Sequence, residues 1–419
     1  MGAPNECHLL IILSDDDCWS LFKAYSFECR EIASYGNIGL IRQKVIEKCK
    51  GLPLAVNTLA GLLHSKQERE DEWLETLNNK MWDLLEERDD IHATLKLSYY
   101  YLPSHLKRCF AHCAIFLEDY EFREEELILL WMAEGLIQPS KENQQLEDLG
   151  HEYFIALLSR SFFQQSNINE SKHTMHDLVH KLAKWASGGT CYHLGDMSGA
   201  TKQLRSFEKV CHLSFARGDV DGKCKFEVLN EVEQVDKRLR TFLPLYFNKV
   251  YGRRYITQTV IIDLLPKFRR LRMLSLEGYY VREFPESFGD LRHLRFLNLF
   301  GAMTKSLPES TSSLLNLHIL KLKDCSSLRK LPFKIRNLIN LRYLDIIGVY
   351  LDEMPLGMNE FKCLQFIVGK GFGIGLKNLK NLKSLCGKHC ISRLENVVDL
   401  HETGELILND KQKLKVLQL

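Results

Sequence analysis

Apolar residues in the C-terminal half of the chain recur with a fixed period. A six-residue pattern, with leucine at its first and fourth positions and an apolar residue at its sixth, begins at Leu271, Leu294, Leu317 and Leu341. A weaker copy follows around Leu364, so that the successive intervals are 23, 23, 24 and 23 residues. The alternation predicts a short strand in each copy, with its leucines on one side. Since one copy cannot bury its own apolar face, the copies must stack on one another.

Each predicted strand is followed by a second apolar residue and a proline, which prevents the strand from propagating. These pairs are Phe284–Pro285, Leu307–Pro308, Leu331–Pro332 and Met354–Pro355. The period falls within the roughly 20–29 residues that are typical of leucine-rich repeats. We therefore predict an α/β leucine-rich-repeat solenoid over 261–419, preceded by a linker and irregular first repeats over 191–260.

Weaker strand patterns extend the repeats in both directions. Residues 211–215 and 239–243 have the pattern of degenerate strands upstream, and 391–394 and 414–417 have it downstream. A solenoid ordinarily ends in a polar cap, and none is visible after the last pattern. We therefore expect the C-terminus to be truncated within the repeats.

The first 190 residues have the period of helices instead. Helices are predicted over 38–49 and 52–63, with Pro53 in the first turn of the second. Ser14 or Asp15 is expected to cap the helix that follows it. Three further helical stripes contain Leu106, Cys109, Phe110 and Cys113, then Leu127, Leu130 and Trp131, then Met175, Leu178, Val179, Leu182 and Ala183.

Composition narrows the possible partners and compartment. The 419 residues carry a formal net charge of +2, which is too small to favour nucleic acid or an acidic membrane surface as the main partner. The 13 cysteines include no CxxC pair, which favours reduced thiols. The early apolar run 9–13 is too short to span a bilayer. We therefore expect a cytoplasmic protein without a membrane span.

Four motifs in the helical half occur in a fixed order. They are Leu13–Phe22, the GLPLA segment Gly51–Ala55, the pair 109–116 and 130–137, and the MHD segment Met175–Val179. Together with the repeats, they resemble plant nucleotide-binding leucine-rich-repeat disease resistance proteins of the coiled-coil class. The resemblance covers essentially the whole chain. It implies a multidomain fold, in which an α-helical bundle over 1–85 and a winged-helix domain over 86–190 precede the repeats.

The phosphate-binding loop of that family is missing from the sequence. A phosphate cradle needs a glycine-rich loop and a lysine, and no GxxxxGK[ST] motif occurs in the 419 residues. The family's loop and coiled-coil domain lie upstream of the segment that opens this chain, so we expect a truncated fragment. The resemblance places Pro53 beside the adenine of bound ADP and His176 at its diphosphate. Without the loop, we expect weak or absent binding of ADP and ATP.

Each of these residues also has an interpretation that involves no nucleotide. Pro53 without a ligand is an ordinary helix-start proline, and His176 is an ordinary helix-end histidine. His176 and His180 have HxxxH spacing, but a zinc protease site of that kind needs a glutamate base and a third ligand. We expect both histidines on the polar side of their helix. The candidate DNA-recognition helix of a winged-helix domain, 123–127, is acidic, which argues against nucleic acid.

Basic residues occupy the variable positions of the repeats. Arg272, Arg295 and Arg342 each follow the first leucine of a copy, and we expect them to line the concave surface. They are either a solvated face or an electropositive surface that binds the acidic switch modules or a protein ligand.

These features favour a non-catalytic interaction protein. The resemblance implies an immune receptor, whose repeats hold a nucleotide-dependent switch in its ADP-bound form until a pathogen effector or a guarded host protein is recognised. The partners would be proteins, including contacts between the nucleotide-binding region and the repeats of the same chain. The alternatives are a repeat scaffold or decoy without a switch, and an NTPase, which the missing loop disfavours.

Overall fold

The computed structural model divides into two compact units. The first comprises Met1–Ile128 and Leu136–Ser187, and the second comprises Leu129–Gly135 and Gly188–Leu419. This division is coarser than the four predicted segments, which stay a prediction. The structure describes residues 12–26, 36–64, 70–82, 93–139, 144–195, 209–227, 229, 235–245 and 254–353, and the backbone of three later strands, 365–368, 387–391 and 414–418.

Helices dominate the first unit. They are α1 (Asp15–Ser26), α2 (Ile38–Cys49), α3 (Pro53–His64), α4 (Glu70–Leu77), α5 (Ala93–Tyr100), α6 (Ser104–His112), α7 (Glu124–Glu134), α8 (Leu146–Leu158) and α9 (Asp177–Ser187), with a 3₁₀ turn at Cys113–Ile115. Helix α7 begins in the first unit, and its second half, from Leu129 onwards, belongs to the second. None of the described helices is long and apolar enough to cross a membrane.

The helix boundaries follow from local sequence. The Asp17 N–H donates to Ser14 Oγ at 3.2 Å, which confirms the predicted cap of α1. Helix α2 ends at Lys50 in the left-handed region, and Pro53 opens α3 as predicted. The Leu13 N–H donates to the Gly51 carbonyl at 2.9 Å. This bond joins the segment 13–22 to the GLPLA segment 51–55, which are far apart along the chain.

The bundle formed by α1 to α5 has an aromatic core. Trp73 and Trp82 are fully buried, and each indole N–H has an acceptor: the Leu63 carbonyl at 2.9 Å and the Thr76 carbonyl at 3.0 Å. Phe22 packs against Trp73 edge to face, with the ring centroids 6.0 Å apart. Because both indoles are satisfied, these large rings add apolar burial without an unpaired donor.

The remainder of the first unit has a small antiparallel sheet beside its helices. Strands β1 (Gln164–Gln165) and β2 (His173–Thr174) pair, and Phe122 forms an isolated bridge with His173. The predicted apolar stripe of α6 is confirmed, since Cys109 and Phe110 are fully buried. A short hairpin beside a helical core is the architecture expected of a winged helix.

The second unit is built on a parallel sheet. The described strands run in the order β3, β4, β6, β8, β9, β10, β11, β12, β13, β14, and β5 pairs separately with β7. Their bounds are β3 Cys191–Leu194, β4 His212–Ala216, β5 Val220–Asp221, β6 Thr241–Leu245, β7 Tyr255–Ile256, β8 Met273–Ser275, β9 Phe296–Asn298, β10 Ile319–Lys321, β11 Tyr343–Asp345, β12 Gln365–Val368, β13 Gly387–Ile391 and β14 Leu414–Gln418.

The register of the sheet reproduces the sequence period. Leu274, Leu297, Leu320 and Leu344 are Cα partners on successive strands and are almost fully buried. They belong to one continuous apolar cluster with the other leucines of the copies. Full burial of a leucine side chain stabilises a fold by about 1.5–3 kcal/mol, so the stacking that the period predicted is the main apolar driving force here.

The connections between the central strands differ from the α/β expectation. They contain 3₁₀ turns at Glu286–Asp290, Glu309–Ser313 and Ile335–Asn337, and a π turn at Val260–Leu264 continues into a 3₁₀ turn at Leu265–Lys267. The one described α-helix of this unit outside Leu129–Gly135 is α10 (Val235–Arg238). Pro285 and Pro308 immediately precede two of the 3₁₀ turns. With only about one turn available per copy, no helix of ordinary length can form.

Candidate functional site

The residue before each central strand occupies one column across the sheet. These residues are Arg240, Arg272, Arg295, His318 and Arg342, and we call them the basic column. The Arg272 and Met273 N–H groups both donate to the Arg240 carbonyl, at 2.7 and 2.8 Å, and the same paired bonds recur at each later step. Neighbouring strands lie about 4.8 Å apart, so this backbone pattern stacks the five basic residues.

A buried carboxylate lies against the end of the basic column that Arg240 and Arg272 form. Glu134 ends helix α7 within the segment Leu129–Gly135 of the second unit, and only 4% of its surface is exposed. Arg272 Nη1 donates to the Glu134 backbone carbonyl at 2.7 Å and to Glu134 Oε1 at 3.1 Å. Arg240 Nη1 donates to the same Oε1 at 3.1 Å. Two charge-assisted bonds thus converge on one carboxylate oxygen.

Electrostatics at Glu134 are a balance between burial and the arginines. Burial raises the pKa of the carboxyl group, while Arg272, Arg240 and Arg295 lower it, and the net direction is upward. Oε2 is buried and has no hydrogen-bond partner among the described residues. Without the arginines, ionising this carboxylate in a nearly dry site would be costly. The carboxylate and the column therefore depend on each other.

Gly135 lets the column approach the end of the helix. Its φ of +79° is the left-handed conformation with which helices commonly end. A Cβ atom at this position would lie 2.7 Å from Arg295 Nη1. The backbone conformation therefore favours glycine here, and the end of the flexible Arg295 side chain would have to shift to admit a Cβ atom.

The three predicted partner-binding residues lie in this column in different surroundings. Arg272 is bound to Glu134, Arg295 lies beside Gly135, and Arg342 lies beyond His318 at the other end. All three are partly buried. The sequence analysis missed Arg240 and His318, although each also follows the first leucine of its copy, which was the signal that could have found them.

Glu134 could not be found from sequence periodicity. It lies in the quoted segment 130–137, but 106 residues separate it from Arg240 and 138 from Arg272. Its neighbours in the helix are apolar and buried, so the sequence indicates only that α7 is central.

The two residues predicted to contact nucleotide lie at helix starts in the first unit. Pro53 is exposed and is the first residue of α3. His176 is exposed and precedes α9, and its Nδ1 accepts the Leu178 N–H at 3.2 Å. Helices α3 and α9 both pack against α5. Pro53 offers an apolar ring and His176 offers one imidazole. These two groups alone cannot cradle phosphates, which needs several backbone N–H donors.

The expectation that His176 and His180 both lie on the polar side of their helix was wrong for His180. His180 is fully buried, and its Nε2 lies 2.9 Å from the Phe116 carbonyl, to which it donates in the matching tautomer. His180 lies three residues before the fully buried Ala183, which places it on the buried side of α9, where it satisfies the Phe116 carbonyl. Burial lowers the pKa of His180, so His180 acts as a neutral link between the MHD segment and 109–116.

Comparisons with known proteins agree on one group. Residues 115–183 match the family described as "Disease resistance protein Winged helix domain". Putative disease resistance RPP13-like protein 1 of Arabidopsis thaliana is 40% identical over 281 residues, which cover 67% of this chain and 26% of that protein. Putative disease resistance protein RGA4 of Solanum bulbocastanum is 35% identical over 427 aligned residues, which cover 100% of this chain and 38% of that protein. The chain therefore spans between about a quarter and two fifths of the length of these relatives.

Proposed function

Because this chain belongs to the plant disease resistance protein family, we propose that it acts as an immune receptor-like protein. Its repeats recognise a pathogen effector or a guarded host protein, and its helical and winged-helix parts relay that recognition. It works by binding and conformational change and not by catalysis. Eight described cysteines are free thiols, which supports a cytosolic location for this activity.

The basic column is the observation that carries the protein-binding part of this proposal. Arg240 and Arg272 already hold a protein carboxylate, Glu134, through bonds of 3.1 Å. A surface that binds a carboxylate in this way has the donor geometry needed to recognise acidic groups of other proteins. Glu134 also lies within the matched winged-helix segment 115–183. A partner that competes with Glu134 for these arginines would therefore change the contacts of the winged-helix segment.

For nucleotide binding, we distinguish complete relatives from this chain alone. In complete relatives, the exchange of ADP for ATP would drive the switch, with Pro53 beside the adenine and His176 at the phosphates. The exposure of both residues at helix starts is compatible with a ligand there. Since the 419 residues contain no phosphate-binding loop motif, we propose that this chain alone binds ADP or ATP weakly or not at all.

An exchange of repeats tests the receptor role. Residues 261–419 would be replaced by the corresponding repeats of a relative that recognises a different pathogen, and the chimera expressed in plants beside its parents. We expect pathogen specificity to follow the repeats, while an exchange of 1–190 should leave specificity unchanged. If the chimera binds the new partner but no defence response depends on it, the chain is a repeat scaffold or decoy. If specificity does not follow the repeats, the receptor proposal is wrong.

A further inference from the structure

In the part of the chain that the structure describes, the end of the basic column formed by Arg295, His318 and Arg342 has no carboxylate partner comparable to Glu134. Arg295 is attracted by Glu134 but forms no hydrogen bond with it. Among the residues that the structure describes, Arg342 has no ion pair within 4.0 Å. Asp345, at the end of β11, accepts the Ile347 N–H at 3.1 Å and is attracted by Lys321 and Lys323. Positive charge therefore remains uncompensated between Arg295 and Arg342.

Burial first, and repulsion by neighbouring arginines second, disfavour the charged forms of His318 and Arg295. Burial, together with Arg295 and Arg342, lowers the pKa of His318 to about 4, so its imidazole is neutral at physiological pH. Burial and Arg272 also lower the pKa of Arg295. A bound anion would relieve this repulsion, because a carboxylate at short range favours the charged form of each basic group.

The spacing of the column suits one carboxylate between two guanidinium groups. Arg240 and Arg272 precede the neighbouring strands β6 and β8 and share one oxygen of Glu134. Arg295 and Arg342 flank His318 from the strands on either side, β9 and β11. They lie two strand spacings apart, or roughly 10 Å along the sheet. A carboxylate placed over His318 therefore lies one spacing from each arginine.

We propose that Arg295, His318 and Arg342 bind a carboxylate from an acidic peptide segment of a partner protein, as Arg240 and Arg272 bind Glu134. This inference rests on the proposed protein-binding function of the repeats and names the partner's chemistry. The occupant is an acidic segment, since the three side chains offer hydrogen-bond donors and the two arginines among them carry positive charge. The neutral imidazole of His318, between the two arginines, adds a hydrogen-bond donor for the carboxylate that a single exposed arginine would lack.

A peptide-binding assay tests the proposal on the full chain. A fluorescent oligoglutamate peptide is titrated with the protein at low salt, with an oligoglutamine peptide of equal length as the reference, and fluorescence anisotropy is measured. We expect the oligoglutamate to bind at least about ten-fold more tightly than the oligoglutamine, a difference that added salt reduces. Equal binding of the two peptides would overturn the proposal.

Matched double variants locate the site. Arg295→Gln/Arg342→Gln is compared with Arg292→Gln/Arg336→Gln, which removes the same charge from two exposed positions outside the column. We expect the column variant to lose about ten-fold or more in oligoglutamate affinity and the control less than about two-fold. Equal losses in both variants would show a diffuse charge effect and contradict the site.

A measurement on the unaltered protein covers the case in which the column variant does not fold. The imidazole resonances of ¹³C-labelled histidines are recorded, and His318 is assigned by its loss in His318→Gln. Oligoglutamate should shift the His318 resonance and oligoglutamine should not; an unshifted His318 at saturating oligoglutamate would overturn the proposal. Both assays are independent of the repeat exchange in plants, so the acidic-peptide site and the receptor role can fail separately.

Discussion

At the scale of single residues, the environment of Glu134 decides its chemistry. A glutamate at a helix end is ordinarily solvated, but this one is 4% exposed and held by Arg240 and Arg272. Removing the charge of the buried Glu134 takes the anionic partner away from Arg240 and Arg272, whose side chains are 43% and 30% exposed. Replacing Glu134 by an uncharged residue of the same shape should therefore change the free energy of unfolding measurably.

Glu134→Gln should destabilise the second unit by about 1–3 kcal/mol, because two charge-assisted bonds lose their charge. Urea unfolding at neutral pH measures the difference. The control is Glu125→Gln, at an exposed position of the same helix, for which we expect a change within about 0.5 kcal/mol. Equal stability of the two variants would show that the Glu134 ion pairs contribute nothing.

His318 makes stability depend on pH. Its pKa falls from 6.5 to about 4 on folding, so the unfolded chain binds a proton more readily than the folded chain. The free energy of unfolding should therefore decline as the pH falls from 6.5 towards 4, and this loss is absent above the unfolded pKa. Between about pH 7 and pH 5, the wild type should lose on the order of 1–2 kcal/mol relative to His318→Gln.

Urea unfolding of both proteins at the two pH values gives this difference directly. Groups that titrate equally in the two proteins cancel, including His112, whose pKa is also lowered to about 4. A constant difference in stability across the pH range would mean that His318 is protonated normally in the folded state.

At the scale of the repeat element, the backbone repeats as well as the leucines. The eighth residue of each central copy has a positive φ: Gly278 at +73°, Gly301 at +76°, Asp324 at +56° and Gly348 at +73°. This position turns the chain away from the strand, and a side chain there costs about 1–2 kcal/mol in the left-handed region. Aspartate tolerates that region better than most residues, which is why Asp324 can replace glycine.

Gly301→Ala should destabilise the repeats by about 1 kcal/mol, because alanine is strained at a positive φ. Its added Cβ would meet only Gly278 Cα, at 4.0 Å, so the cost comes from the backbone and not from a clash. Asp324→Gly is the matched control, and we expect a change within about 0.5 kcal/mol. Denaturant unfolding of both variants checks this, and a neutral Gly301→Ala would contradict it.

At the scale of the whole molecule, the two units have different origins of stability. The first encloses aromatic cores such as Phe22 with Trp73, and the second shares one apolar cluster across its repeats. The proposed nucleotide residues lie in the first unit and the basic column in the second. Nucleotide binding and acidic-peptide binding can therefore be measured as separate properties of the same chain.

Purified chain should bind ADP weakly, with a dissociation constant well above the micromolar range, because no backbone cradle for the phosphates is encoded in it. Isothermal titration calorimetry measures this, and His176→Ala provides a control that should change little. ADP affinity in the micromolar range or better, lost in His176→Ala, would show that the described residues suffice for a site.

Some features could be predicted from the sequence because they depend on neighbours in the chain. The strands of the repeats, the place of Pro53 in the first turn of α3 and a cap at Ser14 or Asp15 were predicted from local patterns, and the structure confirms the strands, Pro53 and Ser14. The 3₁₀ connections were not, since the spacing leaves the form of the connecting turn open. The period predicted that Arg272, Arg295 and Arg342 occupy equivalent positions of their copies, and their role in lining a concave, partner-binding surface stays a prediction.

By itself, the sequence determined the period of the repeats and the identity of the helical motifs, because apolar burial acts on patterns a few residues long. Only the tertiary structure decided that Glu134 meets Arg240 and Arg272, and that His180 is buried against Phe116. Those contacts join residues that are distant in the chain. Their partners are selected by which surfaces fold together, and no local pattern contains that information.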